Sequence, residues 1–165
     1  MTKERREESV ASADHMRRAI AMSRRAIRTN RGFPFGAVIV RDGEVVAEAH
    51  NTVLSDNDPT AHAEINAIRA ASAKLGTFLL EGCEIYASGE PCPMCLAAIY
   101  WSRLDRIYYA NRKQDAHRIG FSDDSFYREL ALPPDRRRIP TSRLLGDEAV
   151  TVFDEWNRRP DKVTY

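Results

Sequence analysis

The chain has 165 residues, 43% hydrophobic and 30% charged, the balance of one soluble domain with a full core, which excludes disorder and fibrous repeats. A chain of this length buries roughly 70% of the surface its unfolded form exposes, so it needs no staple to fold, and any metal it binds is expected to serve chemistry. Lys and Arg exceed Asp and Glu by only one, which gives no electrostatic argument for nucleic acid or an anionic membrane, although residues 1–31 are themselves strongly basic. Three cysteines, two of them three residues apart, do not form a disulfide framework and suit a reducing compartment. With a charged N-terminus and no apolar run of ~18 residues, the cytoplasm is expected and a membrane is not.

In chain order, residues 1–13 are expected to fray. Met16, Ile20, Ser23 and Ile27 then recur at helical spacing, with Arg17, Arg24 and Arg28 on the other side as a solvated face. Phe35 to Val40 and Val45 to Ala49 are β-rich runs joined through Asp42-Gly43, the dipeptide of a tight hairpin turn. Asp58-Pro59 reads as N-cap and first helical position of an Ala-rich helix ending near Leu75-Gly76. A short strand, Ile85 to Ser88, leads through Glu90-Pro91 into a second helix carrying Cys95, Ile99, Tyr100 and Trp101, and a strand from Arg106 to Ala110 follows. This α-β-β-α-β-α-β order predicts a single α/β domain spanning 1–165, a sheet with helices on its faces and its polar residues at helix N-termini. Phe126 to Leu132 and Glu148 to Arg158 are read as short helices of the tail.

The chemistry concentrates in His62-Ala63-Glu64 and Pro91-Cys92-Pro93-Met94-Cys95. Two cysteines at i and i+3 near a helix start can take two corners of a tetrahedral metal, and the helix N-terminus favours their thiolates. His62 as third ligand leaves the fourth corner for water, as in a catalytic zinc site; a thiol redox pair or a closed structural zinc is the alternative. On an ideal helix His62 and Glu64 lie about 200° apart, so both reach one ion only if it sits at the helix end. Cys83, proposed as a fourth ligand, reads better as a small buried hydrophobe. His15, His50 and His117 have no motif context; His50, beside Asn51, lines either a pocket or the core.

H-x-E followed by P-C-x-x-C is the signature of zinc nucleobase deaminases. From Pro34 to Ala110 the chain resembles the cytidine-deaminase-like superfamily, in the stretches Pro34 to Val40, Asn57 to Glu64 and Glu90 to Cys95. These are similar to both tRNA adenosine deaminases and small guanine deaminases. Ala98 to Trp101, Gly120 to Tyr127 and the final Tyr165 look more like the guanine deaminase branch. Two departures stand out: Ser122 is interposed before Asp123-Asp124, and Gly89 stands where a cysteine is common.

The resemblance implies a three-layer α/β/α fold around a mixed sheet. It further implies one zinc per subunit on His62, Cys92 and Cys95, Glu64 as proton shuttle, and Asp123 or Asp124 assisting at the leaving group. Substrate contacts would come from Asn51, Phe35, Ala63, Trp101 and Tyr165. A homodimer is implied, in which the segment 120–165 is exchanged or packed so as to complete the neighbouring site. With a zinc-acidified water as nucleophile, guanine would yield xanthine and ammonia. Bland readings stand beside these: Asn51 as a turn residue, Phe35 as core, Trp101 as core or subunit interface, and Asp123-Asp124 as a solvated cap. A tRNA adenosine deaminase and a non-enzymatic structural zinc module are the other function classes. Guanine, guanosine and other aminated rings such as triazines are not separated at this level.

Overall fold

The computed structural model describes the backbone of residues 3–164 and the side chains of residues 12–164. It divides into two compact units, Met1–Asp123 and Asp124–Tyr165.

The first unit is built on a four-stranded mixed sheet of order β2-β1-β3-β4, from β1 (Gly36–Arg41), β2 (Glu44–His50), β3 (Cys83–Gly89) and β4 (Arg106–Asn111). The β1–β2 hairpin closes through Asp42 and Gly43 at φ 51° and 78°, the paired left-handed conformation that a two-residue turn demands and that Asp-Gly supplies cheaply. β3 runs antiparallel to β1, and β4 parallel to β3. Gly36 faces His50, Ala37 faces Ala87 and Gly89 faces Asn111. The start of β1 and the ends of β2, β3 and β4 therefore meet at one end of the sheet, and the candidate residues gather there.

Alternation along β1 sorts the layers. Ala37 and Ile39 join a core with Ala63, Ala67 and Ala71 of α3 (Ala63–Leu75) and Ile99 of α4 (Pro93–Trp101). Val38 and Val40 join Ala19 of α1 (Lys3–Arg28) and Tyr86 on the opposite face. Period-2 strands with apolar residues on both faces require helices on both sides, and the expected three layers form.

Two readings of the helices need correction. α1 begins at Lys3, and its fully buried positions are Ala19 and Ala26, whereas Ile27 is 55% exposed. The reason is distance: a Cβ on Gly36 would lie 2.3 Å from the Ala19 carbonyl oxygen and 2.5 Å from the Ser23 nitrogen. Helix and strand touch backbone to backbone, so alanine fits the contact and isoleucine does not. Of residues 1–13, expected to fray, the side chains of 1–11 lie outside the described residues, while Ser12 and Ala13 lie within α1.

α3 starts at Ala63, four residues after Pro59. The Asp58 carboxylate accepts from the Thr60 backbone N–H at 2.8 Å and its hydroxyl at 2.7 Å, a local turn that competes with helix. His62, with φ −68° and ψ 155°, becomes the N-cap, and Gly76 ends the helix at φ 67° as the sequence indicates. Two short helices escape the sequence reading, α2 (Val53–Asp56) and α5 (Lys113–Arg118).

The second unit holds α6 (Asp124–Ala131), a 3-10 turn (Pro134–Arg136) and α7 (Gly146–Arg158). Neither helix buries a residue. Among the described residues no helix is long and apolar enough to cross a membrane.

Candidate functional site

Two helix starts face each other at the strand ends. His62 caps α3, and Cys92 caps α4 with Cys95 three residues on. Because His62 is extended rather than helical, the 200° separation from Glu64 does not apply. The capping residue turns inward while Glu64 points from the first turn of α3 toward the same place.

The His62 Nδ1 lies 3.6 Å from the Cys92 Sγ and 3.5 Å from the Cys95 Sγ. All three donor atoms fall within 4.8 Å of one another. A tetrahedral ion bonded to nitrogen at about 2.0 Å and sulfur at about 2.3 Å holds the two roughly 3.5 Å apart, so the cluster already has zinc's spacing. Cys83 is fully buried at the start of β3, within the apolar core, and burial pushes its thiol up. It is no part of the cluster.

The donor set also fits zinc electrostatically. Hydrogen bonding from Cys95 lowers the Cys92 thiol to about 4, and the Cys92 sulfur in turn raises His62. The Cys95 thiol is pushed up because it donates to Cys92 and is buried. A pair that already holds one thiolate at neutral pH is half prepared for a cation, which displaces the remaining proton. Glu64, 6% exposed, is pushed up to about 6 by burial. A carboxyl poised near neutrality beside a metal site is suited to taking and giving back a proton.

Asn51 is 1% exposed at the end of β2. Its side-chain oxygen accepts from the Phe33 N–H at 3.0 Å and the Val53 N–H at 3.2 Å. Two donors fix the amide's orientation, so its NH2 group is what remains for a ligand. The Thr52 N–H donates to the Ala61 carbonyl at 3.0 Å, joining this strand end to the residue before His62.

The remaining candidates separate. Ala63 has its methyl in the core, at 0% exposure; what it can offer is its N–H at the first position of α3, where a helix supplies no acceptor. Phe35 lies against Gly89, where an added Cβ would sit 3.3 Å from the ring, and meets Phe121 edge-on at 5.3 Å. Trp101, ending α4, is 60% exposed, so it is not core. Asp123 and Asp124 stand at the start of α6. Tyr165 lies outside the described residues.

Sequence reasoning missed three supports. Phe121 packs on both Phe33, at 4.9 Å, and Phe35. Glu90 accepts from the Lys113 N–H at 3.0 Å while its own N–H reaches the Asn111 carbonyl at 2.8 Å, tying the Cys92 loop to the end of β4. Asn66 reaches back from α3 to three oxygens. The positions of Glu90 before Pro91-Cys92 and of Phe121 within the stretch Gly120 to Tyr127 were signals; Asn66 gave none.

Residues 10–111 match the family described as the cytidine and deoxycytidylate deaminase zinc-binding region. The chain is 43% identical over 150 residues to a guanine deaminase from Bacillus subtilis, covering 91% of this chain and 96% of that one. An X-ray structure of a guanine deaminase from Bacillus subtilis superposes with a TM-score of 0.89 at 40% identity, over 100% of this chain and 99% of the other. A tRNA-specific adenosine deaminase from Aquifex aeolicus is 48% identical over 77 residues, 47% of this chain and 51% of its own.

Proposed function

As the chain belongs to the cytidine and deoxycytidylate deaminase zinc-binding family, we propose that it is a zinc-dependent aminohydrolase that converts guanine and water to xanthine and ammonia. The observation that carries this reading is the His62-Cys92-Cys95 cluster with buried Glu64 beside it, in a chain similar over 91% of its length to a guanine deaminase. The similarity to a tRNA-specific adenosine deaminase extends over 47% of the chain.

His62, Cys92 and Cys95 would hold the zinc, which when bound would supply Lewis acidity toward the attacking water. Glu64, ionised above about 6, would take one proton from the attacking water and give it to the ring nitrogen, then carry the second proton of that oxygen to the amine, which leaves as ammonia. The C2–N bond breaks as a C2–O bond forms. Asn51, with its oxygen already engaged, donates its NH2 to an acceptor on the purine edge. Phe35 and Trp101 offer aromatic faces to the flat base, and the Ala63 N–H offers a further donor. Asp123 or Asp124 assists protonation of the leaving group. Retention of Glu64, for which a purely structural Cys2His site has no chemical need, argues against a non-enzymatic module.

The active form in this reading is a cytoplasmic homodimer. Helices α6 and α7 bury no residue although Phe126, Leu130, Phe153 and Trp156 are 52%, 61%, 75% and 44% exposed. Such amphipathic helices gain stability by covering that face; a second copy is the occupant, with the C-terminal segment and Tyr165 completing its site.

The test is ammonia release by zinc-loaded protein from guanine, guanosine, adenine, cytidine, an aminated triazine and an adenosine-containing anticodon stem-loop. Turnover of guanine with silence on RNA is expected. Activity on the stem-loop alone would mean that the zinc core is read correctly and the substrate wrongly.

A further inference from the structure

Asn66 is the fourth residue of α3, half-buried and not itself a metal donor, and its backbone N–H donates to the His62 carbonyl at 2.9 Å. Its Nδ2 lies 2.9 Å from the Thr52 hydroxyl, 3.1 Å from the His50 carbonyl and 3.3 Å from the Ala61 carbonyl. Two of these partners are backbone carbonyls, which only accept, so the side chain must present its NH2 group there. With two hydrogens for three oxygens, the amide is shared among them.

The identity of the partners gives the arrangement its meaning. His50 and Thr52 flank Asn51, the residue whose NH2 is left for the base, and Ala61 precedes His62, the metal donor. The two segments otherwise meet through the Thr52 N–H to Ala61 carbonyl bond. Asn51 makes the last bond of the β1–β2 ladder, its N–H donating to the Phe35 carbonyl at 3.0 Å, and at Thr52 the chain leaves the sheet to bond Ala61. The ladder ties Asn51 to β1 but not to the metal donors; Asn66 supplies that second tie, from the helix that His62 caps and that carries Glu64.

We propose that Asn66 is a positioning residue that sets the distance between Asn51 and the metal centre, and so tunes substrate affinity rather than the proton transfer. This rests on the purine reading above. The donor character of the side chain is what matters, not its bulk. Asn66 also lines a polar cleft of about 370 Å³ with His50, Thr52, Asp56 and Arg25. Water entering that cleft can satisfy the oxygens if the side chain is removed, so variants here are expected to fold.

The experiment compares wild type, Asn66→Ala and Asn66→Asp as full-length zinc-loaded proteins. The readouts are KM and kcat for guanine, Kd for hypoxanthine by calorimetry, zinc content and thermal midpoint. Hypoxanthine keeps the purine oxygen but has no amine at C2, so it binds without reacting. Loss of two neutral hydrogen bonds predicts a rise of roughly five- to tenfold in KM and Kd for Asn66→Ala, with kcat within about twofold and one zinc per chain. Asn66→Asp keeps the shape but turns a carboxylate on three oxygens, and its rise is larger than that of Asn66→Ala. If Asn66→Asp behaves like wild type, the side chain acts by bulk and the proposal is wrong. A lowered thermal midpoint with unchanged KM and Kd overturns it too, as does zinc loss in step with KM. Wild type that neither turns over guanine nor binds hypoxanthine would instead remove the purine reading on which the proposal rests.

Discussion

All the buried residues named in the core lie between Ala19 and Ser102, in the unit of residues 1–123, while α6 and α7 of the second unit bury none. Both units contain amphipathic helices. The difference lies in what each helix has to cover: α1, α3 and α4 close over the two faces of one sheet, whereas α6 and α7 display Phe126, Leu130, Phe153 and Trp156. A chain segment can carry a strong helical pattern without a core of its own, because pattern specifies a face and packing requires a second surface. The His62-Cys92-Cys95 cluster sits where the backbone is held by sheet and core, and the helices of the second unit find no such surface among their own residues.

Substitutions separate the two units, beginning with the largest effect. Glu64→Gln should lower kcat for guanine about 10³-fold or more while the protein keeps one zinc per chain; parallel loss of zinc would show that Glu64 holds the metal site rather than working in it. Deleting residues 124–165 should leave a first unit that unfolds in one cooperative transition and still binds zinc, with guanine turnover below about a hundredth of wild type. Retained turnover would end the idea that the tail completes a site. Gly36→Ala forces a methyl into the α1 backbone 2.3 Å away, and urea titration should show a loss of about 3 kcal/mol. A change under about 0.5 kcal/mol would mean the helix is free to back away from the sheet.

A smaller effect concerns pH in the zinc-free protein. Glu64 has its folded pKa raised by burial from 4.5 to about 6. Relative to the unfolded chain, the folded state favours the protonated carboxyl, and this relative stability is lost as pH rises through about 6. Glu64→Gln should therefore make the zinc-free protein more stable by about 2 kcal/mol at pH 8 and confer no gain at pH 4. Equal stabilities at pH 8 would show that the carboxylate is solvated in the folded chain. Least costly to stability is Phe153→Ser with Trp156→Ser on α7, which should shift sedimentation from dimer toward monomer and leave the zinc content unchanged. An unaltered dimer would place the subunit contact elsewhere.

Much of this molecule was legible before any coordinates. Asp-Gly fixed the hairpin turn, because few residues tolerate two successive left-handed conformations. Spacing singled out Cys92 and Cys95 as two corners of a tetrahedral ion, and resemblance to the H-x-E and P-C-x-x-C signature added His62 and Glu64. The layers followed from apolar residues on both faces of β1. What sequence left unsettled depended on distance. Ala19 and Ala26, and not Ile27, face the sheet because Gly36 lets two backbones touch, which hydrophobicity does not register. The start of α3 moved from Pro59 to Ala63 because the Asp58 carboxylate closed a turn on Thr60, and that shift made His62 a cap able to share a metal with Cys92 and Cys95. Only the tertiary structure brought Asn66 to His50, Thr52 and Ala61, since three oxygens from segments 5 to 16 residues away converge on one amide by folding alone. Motif and spacing named the candidate residues; packing decided how far apart they stand.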